Sequence, residues 1–226
     1  MTRSQLKEQA KLIMRHSRLN MFLGTLVIPV YLMLTYALTY AEKTLVLNLI
    51  IGLLLPTVTY LGVRLIRSGR QEITLKDNIF GESTEASDLL DILVLNLLVG
   101  LFTLLWSFLF IIPGIIKAYS YSQAINVFFD HKKNGTKISY TQAIKESTLM
   151  MKGNKFDLFI LQLSFIGWWI PVSIVLSSTM YSFSSGNVVN GLLSGVIGGI
   201  LFWVLTIYSQ LTHGAFYVDI KDNSYN

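Results

Sequence analysis

Long apolar runs separated by short polar stretches set the rhythm of the chain. The runs are 19–40, 44–63, 89–112, 114–129, 156–180 and 188–212. A helix needs about 20 apolar residues to cross a hydrocarbon core, so the pattern predicts six transmembrane helices. The first run follows a basic segment, as a secretory signal would. It is too long for that, and only Leu38-Thr39-Tyr40-Ala41 follows where a small-residue cleavage site would stand. It therefore reads as the first span. The fourth run is short, so a re-entrant segment competes with a full crossing.

Three polar stretches carry weaker helical patterns. In residues 2–18, Leu6, Ala10, Ile13 and Met14 fall at helical spacing among Arg3, Lys7, Lys11, Arg15 and Arg18. That is a basic amphipathic helix suited to an interface, with a solvated tail as the bland reading. Residues 64–88 read as a second interfacial segment. Asp130 to Lys137 reads as a charged loop. Ser139-Tyr-Thr-Gln142 has capping-box spacing and should open a helix to about Met151, with Ala143, Ile144, Ser147 and Met150 on one face. Tyr181 to Asn187 reads as a loop, and Asp219 to Asn226 as a polar tail.

The stretch Leu101 to Asp130 organises the rest. An apolar helix runs into Pro113-Gly114, and a more polar one leaves. Proline lacks an amide donor and glycine tolerates unusual dihedrals, so the break between the two helices is expected there. All four prolines, Pro29, Pro56, Pro113 and Pro171, lie in apolar segments. They are kinks repaired by neighbouring helices or, as the sharper alternative, transporter-like broken helices.

Composition strengthens this picture. The 226 residues are 52% hydrophobic and 14% charged, against roughly 25% charged for soluble domains. Mean hydropathy is +0.54. With no cysteine there is no disulfide framework, and three scattered histidines, His16, His131 and His213, do not make a zinc site. The net charge of +5 fits lysines and arginines facing anionic headgroups better than nucleic acid, since no basic patch lies on a soluble domain. Six crossings with a cytoplasmic N-terminus leave only Lys43 and Lys117, of 18 basic residues, on the outside. That asymmetry favours both termini in the cytoplasm of a cell-membrane protein and a full fourth crossing.

Leu12–Leu26 also aligns without a gap to Leu149–Leu163, with matching Leu, Met, Phe and basic positions. Residues 64–130 share the outline. This suggests three parallel units, each an interfacial helix plus a hairpin, unless any basic helix entering a membrane would look the same.

Candidate chemistry is sparse. Asn96, Lys117, Gln123 and Asn126 form a candidate polar groove, because polar side chains within spans are functional candidates by default. Lys117 could instead snorkel outward, and Tyr119 and Tyr121 could belong to an aromatic belt. Asp91 and Asp157 sit near helix N-termini, where the dipole favours carboxylates. Gly191, Gly195 and Gly199 form overlapping GxxxG steps for close packing within the bundle or for a homo-oligomer. Pro113, Gly114 and Gly153 complete the structural set. No nucleophile elbow, HExxH, P-loop or acid–histidine pair is present, so no enzyme, cofactor or metal is expected.

Phe110-Ile-Ile-Pro-Gly-Ile-Ile-Lys-Ala-Tyr119, Tyr121, Asp130, Gln142-Ala-Ile144, Ser147, Met151-Lys-Gly153, Phe159 and Leu163-Ser-Phe-Ile-Gly-Trp168 carry a resemblance. With Leu6-Lys-x-x-Ala10 and Ala215-Phe-Tyr217, they resemble the bacterial integral membrane family catalogued as domain of unknown function (DUF) 975, over nearly the whole chain. Ile207-Tyr208 departs from the Pro-Tyr expected there. The chain is more distantly similar to the membrane domain preceding some bacterial glycerophosphodiester phosphodiesterases. The resemblance implies a multi-pass protein of a Gram-positive bacterium and brings no catalytic residues. The resulting expectation is an all-α integral membrane protein, a single polytopic domain with interfacial amphipathic helices. It would be non-catalytic and bind lipid, peptide or a membrane partner, in envelope homeostasis or immunity. The alternative is a small transporter or permease component.

Overall fold

A computed structural model describes residues 1–16 and 86–224. The described part is helical throughout. The expected spans 19–40 and 44–63, and the segment 64–85, lie outside the described residues. In order, the helices are α1 (Arg3–His16), α2 (Ala86–Leu109), α3 (Ile111–Tyr121), α4 (Ala124–Lys133), α5 (Tyr140–Met150), α6 (Lys155–Ser184) and α7 (Val188–Ser224). Three of them, over Leu90–Leu109, Lys155–Ser184 and Val188–Asn223, are long and apolar enough to cross a membrane.

A reciprocal cap opens α1. Gln5 Oε1 accepts from the Thr2 amide at 2.7 Å, and Thr2 Oγ1 accepts from the Gln5 amide at 3.4 Å. Leu6, Ala10 and Ile13, one to two turns apart, are its buried stripe. The helix runs antiparallel to α7. Leu6 packs with Ala215, Phe216 and Ile220, and Ala10 and Ile13 pack with Trp203, Ile207 and Leu211. The Met1 amine reaches Asp219 at 2.7 Å.

The break after α2 falls at Phe110, three residues before the proline that causes it. In a continuous helix the Pro113 ring would collide with the Leu109 carbonyl four residues back, so α2 stops at Leu109. Phe110 is extended (φ −160°, ψ 144°) and caps α3. Pro113 then sits in the first turn of α3, where a missing N–H costs little. The helix expected over 89–112 therefore ends at Leu109.

From Phe110 the chain returns along α2. Gly114 lies against Ser107, Lys117 Nζ lies 4.5 Å from the Trp106 ring, and Tyr121 packs on Phe102 with ring centroids 6.4 Å apart. Below them Val127 and Phe128 join Ile92 and Leu95, and Lys132 reaches Asp88 and Asp91. The return is not the single helix expected over 114–129. It is α3 and α4, parted at Ser122–Gln123. Asp130 is likewise inside α4 and buried, not in a loop.

Ser139 Oγ accepts from the Gln142 amide at 3.2 Å to start α5, whose buried residues are Ala143, Ile144 and Ser147. Gly153, at φ +93°, makes the turn into α6. Helices α6 and α7 form an antiparallel hairpin through Ser185–Asn187, with Gly186 at φ +78°. Their close approach runs through Gly191 against Phe183, Gly195 against Thr179 and Gly198 against Leu176. The row passes through Gly198 and not Gly199, because a face recurs every 3.6 residues, not every four. Nothing lies within 4 Å of a Cβ placed on Gly199.

Helix α7 also continues past residue 212, the expected end of the sixth span, to Ser224, inside the polar tail expected from Asp219 onward. Ala215, Phe216, Tyr217, Val218 and Ile220 are buried, and that apolar stripe carries the helix on. At 1.5 Å per residue it is about 55 Å long, well beyond a hydrocarbon core of about 30 Å.

Candidate functional site

Three polar centres lie within this apolar bundle. The first is the break between α3 and α4. No proline or glycine stands at Ser122–Gln123. Instead Ser147, fully buried on α5, enters the gap. Its Oγ donates to the Ser120 carbonyl at 2.8 Å and accepts from the Gln123 amide at 3.2 Å. One hydroxyl thus satisfies an acceptor and a donor of the interrupted helix. Gln123 Oε1 accepts from Asn126 Nδ2 at 2.9 Å, and both residues are buried.

Of the candidate groove, Gln123 and Asn126 are therefore brought together. The register that sets Phe102 against Tyr121 and Asp91 against Lys132 puts Asn96 level with Asn126. Asn126 Oδ1, an acceptor, and Asn96 Nδ2, a donor, are buried without hydrogen-bond partners. Lys117 is elsewhere, near the Phe110 turn with its ammonium over Trp106, a cation–π contact. Tyr121 is buried in the core cluster and not in a belt.

The second centre is the end of the bundle away from the two hairpin turns. Tyr217 donates to Asp130 Oδ2, and Lys221 Nζ meets the same oxygen at 2.7 Å, which ties α4 to α7. Lys132 holds Asp88 and Asp91, and the Tyr140 hydroxyl donates to Asp91 Oδ1 at 2.7 Å. Burial acts against the Lys132 ammonium, but its hydrogen bonds to both carboxylates outweigh that and raise its pKa. Tyr140 is raised by its bond to Asp91 and by burial. His131 and Glu146 meet at 2.8 Å. These contacts join helices, and among the described residues no three His, Cys, Asp or Glu converge as metal ligands. A cavity of about 590 Å³ lies at this end among α1, α6 and α7. The Met1–Asp219 pair on its wall is a clasp between α1 and α7.

The third centre lines an open pocket. Between α3, α6 and α7 lies a cavity of about 410 Å³, within the roughly 300–1,000 Å³ of ligand sites. Phe159, Leu163, Phe165, Ile166 and Trp169 wall it, with Tyr119, Gln162, Ser209, Gln210 and His213 as the polar part. The Tyr119 hydroxyl donates to Gln162 Oε1 at 2.6 Å, and Gln162 Nε2 meets His213 Nε2 at 3.0 Å. An amide nitrogen only donates, so His213 Nε2 is the acceptor and Nδ1 carries the ring proton. The imidazole is neutral in this arrangement. The Tyr119 and Phe159 rings meet edge to face at 6.0 Å, and Trp169 packs on Phe202 at 5.4 Å.

Sequence reasoning placed Tyr119 at an interface and passed over Gln162 and His213. The signal was available, because each is a polar residue in or beside an apolar run. What was hidden was that helices 43 and 51 residues apart in sequence bring the three together. Comparison with known proteins adds one finding. The family model described as protein of unknown function (DUF975) matches residues 1–135 and 111–224. No curated protein and no solved structure matches the chain.

Proposed function

The chain belongs to the DUF975 family, and from that premise we propose a non-catalytic, multi-pass membrane module that holds an amphipathic, membrane-borne ligand between α3, α6 and α7. The observation that carries this reading is the Tyr119–Gln162–His213 chain, set under aromatic walls in otherwise apolar helices. Polar groups are costly at such positions and pack there into an orienting floor. Six crossings with both ends cytoplasmic complete the proposal. In support, the turns at Phe110 and Ser185–Asn187 lie at the ends of their hairpins away from Lys132, Lys155 and Lys221, as positive-inside sorting requires.

The chain has no native cysteine, so single cysteines test the topology directly. A membrane-impermeant maleimide should label Asn134→Cys only from the cytoplasmic side and Asn187→Cys only from outside. Labelling of Asn134→Cys from the exterior would overturn the crossing by α3 and α4. The ligand reading predicts that purified protein retains a small amphipath in native mass spectrometry, and that Gln162→Leu releases it.

A second reading, a small transporter, draws on the broken α3–α4 segment and the unpartnered Asn126 Oδ1. It requires solute flux in liposomes that falls with Asn126→Leu or Gln123→Leu.

A further inference from the structure

We propose that the ligand of the α3–α6–α7 cavity is the acyl-ester region of a membrane glycerolipid, its ester carbonyl held by Gln162 and His213 and its chain lying along Phe159, Leu163 and Ile166. This rests on the reading of the cavity as a ligand site and adds the chemistry of what enters it.

The hydrogen-bond arithmetic selects an acceptor. Gln162 Oε1 takes the Tyr119 proton, and one Gln162 N–H goes to His213 Nε2. What remains on these two residues is a second amide N–H, the imidazole Nδ1–H and one lone pair on Gln162 Oε1, so donors outnumber acceptors two to one. The complementary group is a carbonyl oxygen.

The lining selects an uncharged one. None of the residues lining the cavity is Asp, Glu, Lys or Arg, and the floor histidine is neutral. Lys7 Nζ lies 4.5 Å from the centroid of the Phe165 ring but is not among the lining residues. A phosphate or carboxylate buried here would therefore find no counter-charge in the lining itself, which is far more costly than burying a hydrogen-bonded carbonyl.

The exposed side selects the source. Phe159 is 38% exposed, Leu163 40% and Ile166 50%, so one wall of the cavity is continuous with the outer face of α6. Over Lys155–Ser184 that face is apolar and of spanning length. A molecule entering from this side comes out of the bilayer and already has its chain in hydrocarbon. Acyl chains supply the apolar part, and the ester linkage at their heads supplies the acceptor.

Matched photoaffinity lipids test this. The full chain is placed in phosphatidylcholine vesicles with a diazirine at one fixed chain position of a diacyl phosphatidylcholine or of its dialkyl ether counterpart. The ether keeps headgroup and chains and loses both carbonyls. A second pair, diacylglycerol and its dialkyl ether, asks whether the headgroup matters. Cross-linked peptides are mapped by mass spectrometry. Residues 159–169 should be labelled roughly tenfold more by ester than by ether probes, the effect of about one buried hydrogen bond. Gln162→Leu should abolish that preference. Preference within both pairs, or within the diacylglycerol pair alone, supports the proposal and identifies the source. Equal labelling by ester and ether in the parent protein overturns carbonyl recognition while leaving the cavity a ligand site. No labelling of residues 159–169 by any probe, with labelling elsewhere, overturns lipid occupancy itself. Retention of a non-lipid amphipath in native mass spectrometry would then keep the broader reading standing alone. The ester-to-ether ratio is read on the parent protein, so it stands even where a variant misfolds.

Discussion

Asp130→Ala should be among the most damaging substitutions in the described part of the chain. The side chain is 4% exposed, and one oxygen receives both the Tyr217 hydroxyl and the Lys221 ammonium. Truncation to Ala removes this acceptor from the fully buried Tyr217 O–H and this carboxylate from Lys221, whose side chain is 19% exposed. Breaking a buried pair by deleting one partner costs about 3–5 kcal/mol. Asp130→Asn keeps the shape and an acceptor for Tyr217, so it loses mainly the charge and should cost about 1–3 kcal/mol. Lys221→Met leaves the carboxylate with its tyrosine donor and should fall in the same lower range. Because Asp130 and Lys221 act together, the double variant should be less destabilised than the two singles added, by about 1 kcal/mol or more. Equilibrium unfolding of purified protein in mixed micelles gives all four values. Additive singles, or an Asp130→Ala variant within about 1 kcal/mol of the parent, would refute the clasp between α4 and α7.

Three other perturbations follow from the same geometry. A Cβ on Gly114 would stand 2.1 Å from Ser107 Oγ and 2.8 Å from Ser107 Cα. The hydroxyl can rotate away but the backbone cannot, so Gly114→Ala should cost about 1–3 kcal/mol and Ser107→Ala should not rescue it. Gly100→Ala meets nothing within 4 Å and should be neutral or stabilising by up to about 1 kcal/mol in the same unfolding assay. The third perturbation is alkaline pH. Lys132 and Tyr140 both hold their protons more tightly folded than their ordinary values of 10.5 and 10.0. The stability they add is therefore complete below about pH 10 and drains away as pH climbs through their folded values. The melting temperature should fall on that alkaline limb. The double variant Lys132→Met/Tyr140→Phe should fall less steeply, and an unchanged slope would exclude the Asp88–Asp91–Lys132–Tyr140 group as its source.

The parts of the fold legible in the sequence are those governed by local rules. Leu6, Ala10 and Ile13 announce α1, the Ser139 cap announces α5, and hydropathy announces α2, α6 and α7. The positions that misled are those decided by contacts distant in sequence. The break at Ser122–Gln123 carries no proline or glycine, because its cause is Ser147, 24 residues further on. The helix past residue 212 looks polar from Asp219 onward, yet Tyr217 and Lys221 are tied to Asp130, 87 and 91 residues away. Proline position alone also misplaced the first break, since its steric effect acts four residues upstream of the ring. For the cavity, the residue types were visible and the partnership was not. Gln162 and His213 stand on different helices, and only the α6–α7 register brings them to 3.0 Å.

That division has a physical basis in the solvent. Lipid is as apolar as leucine, so burying one greasy helix against another gains little, and small residues and hydrogen bonds choose the neighbours. The described bundle follows this rule closely. Helix α4 meets α2 through Lys132 and its two carboxylates, α5 through His131 and Glu146, and α7 through Asp130. Helix α5 meets the α3–α4 break through one serine. Helices α6 and α7 meet through a row of glycines and the Thr179–Ser194 bond at 3.0 Å. Each contact leaves few polar valences unused on its own residues. In the cavity, by contrast, Tyr119, Gln162 and His213 join three helices beside a space lined with aromatic rings. A floor that needed only to join α3, α6 and α7 could use the small residues and paired hydroxyls found elsewhere in the bundle. A Tyr–Gln–His chain beside a pocket, in place of such small residues, is what sets this site apart from the structural polar contacts around it.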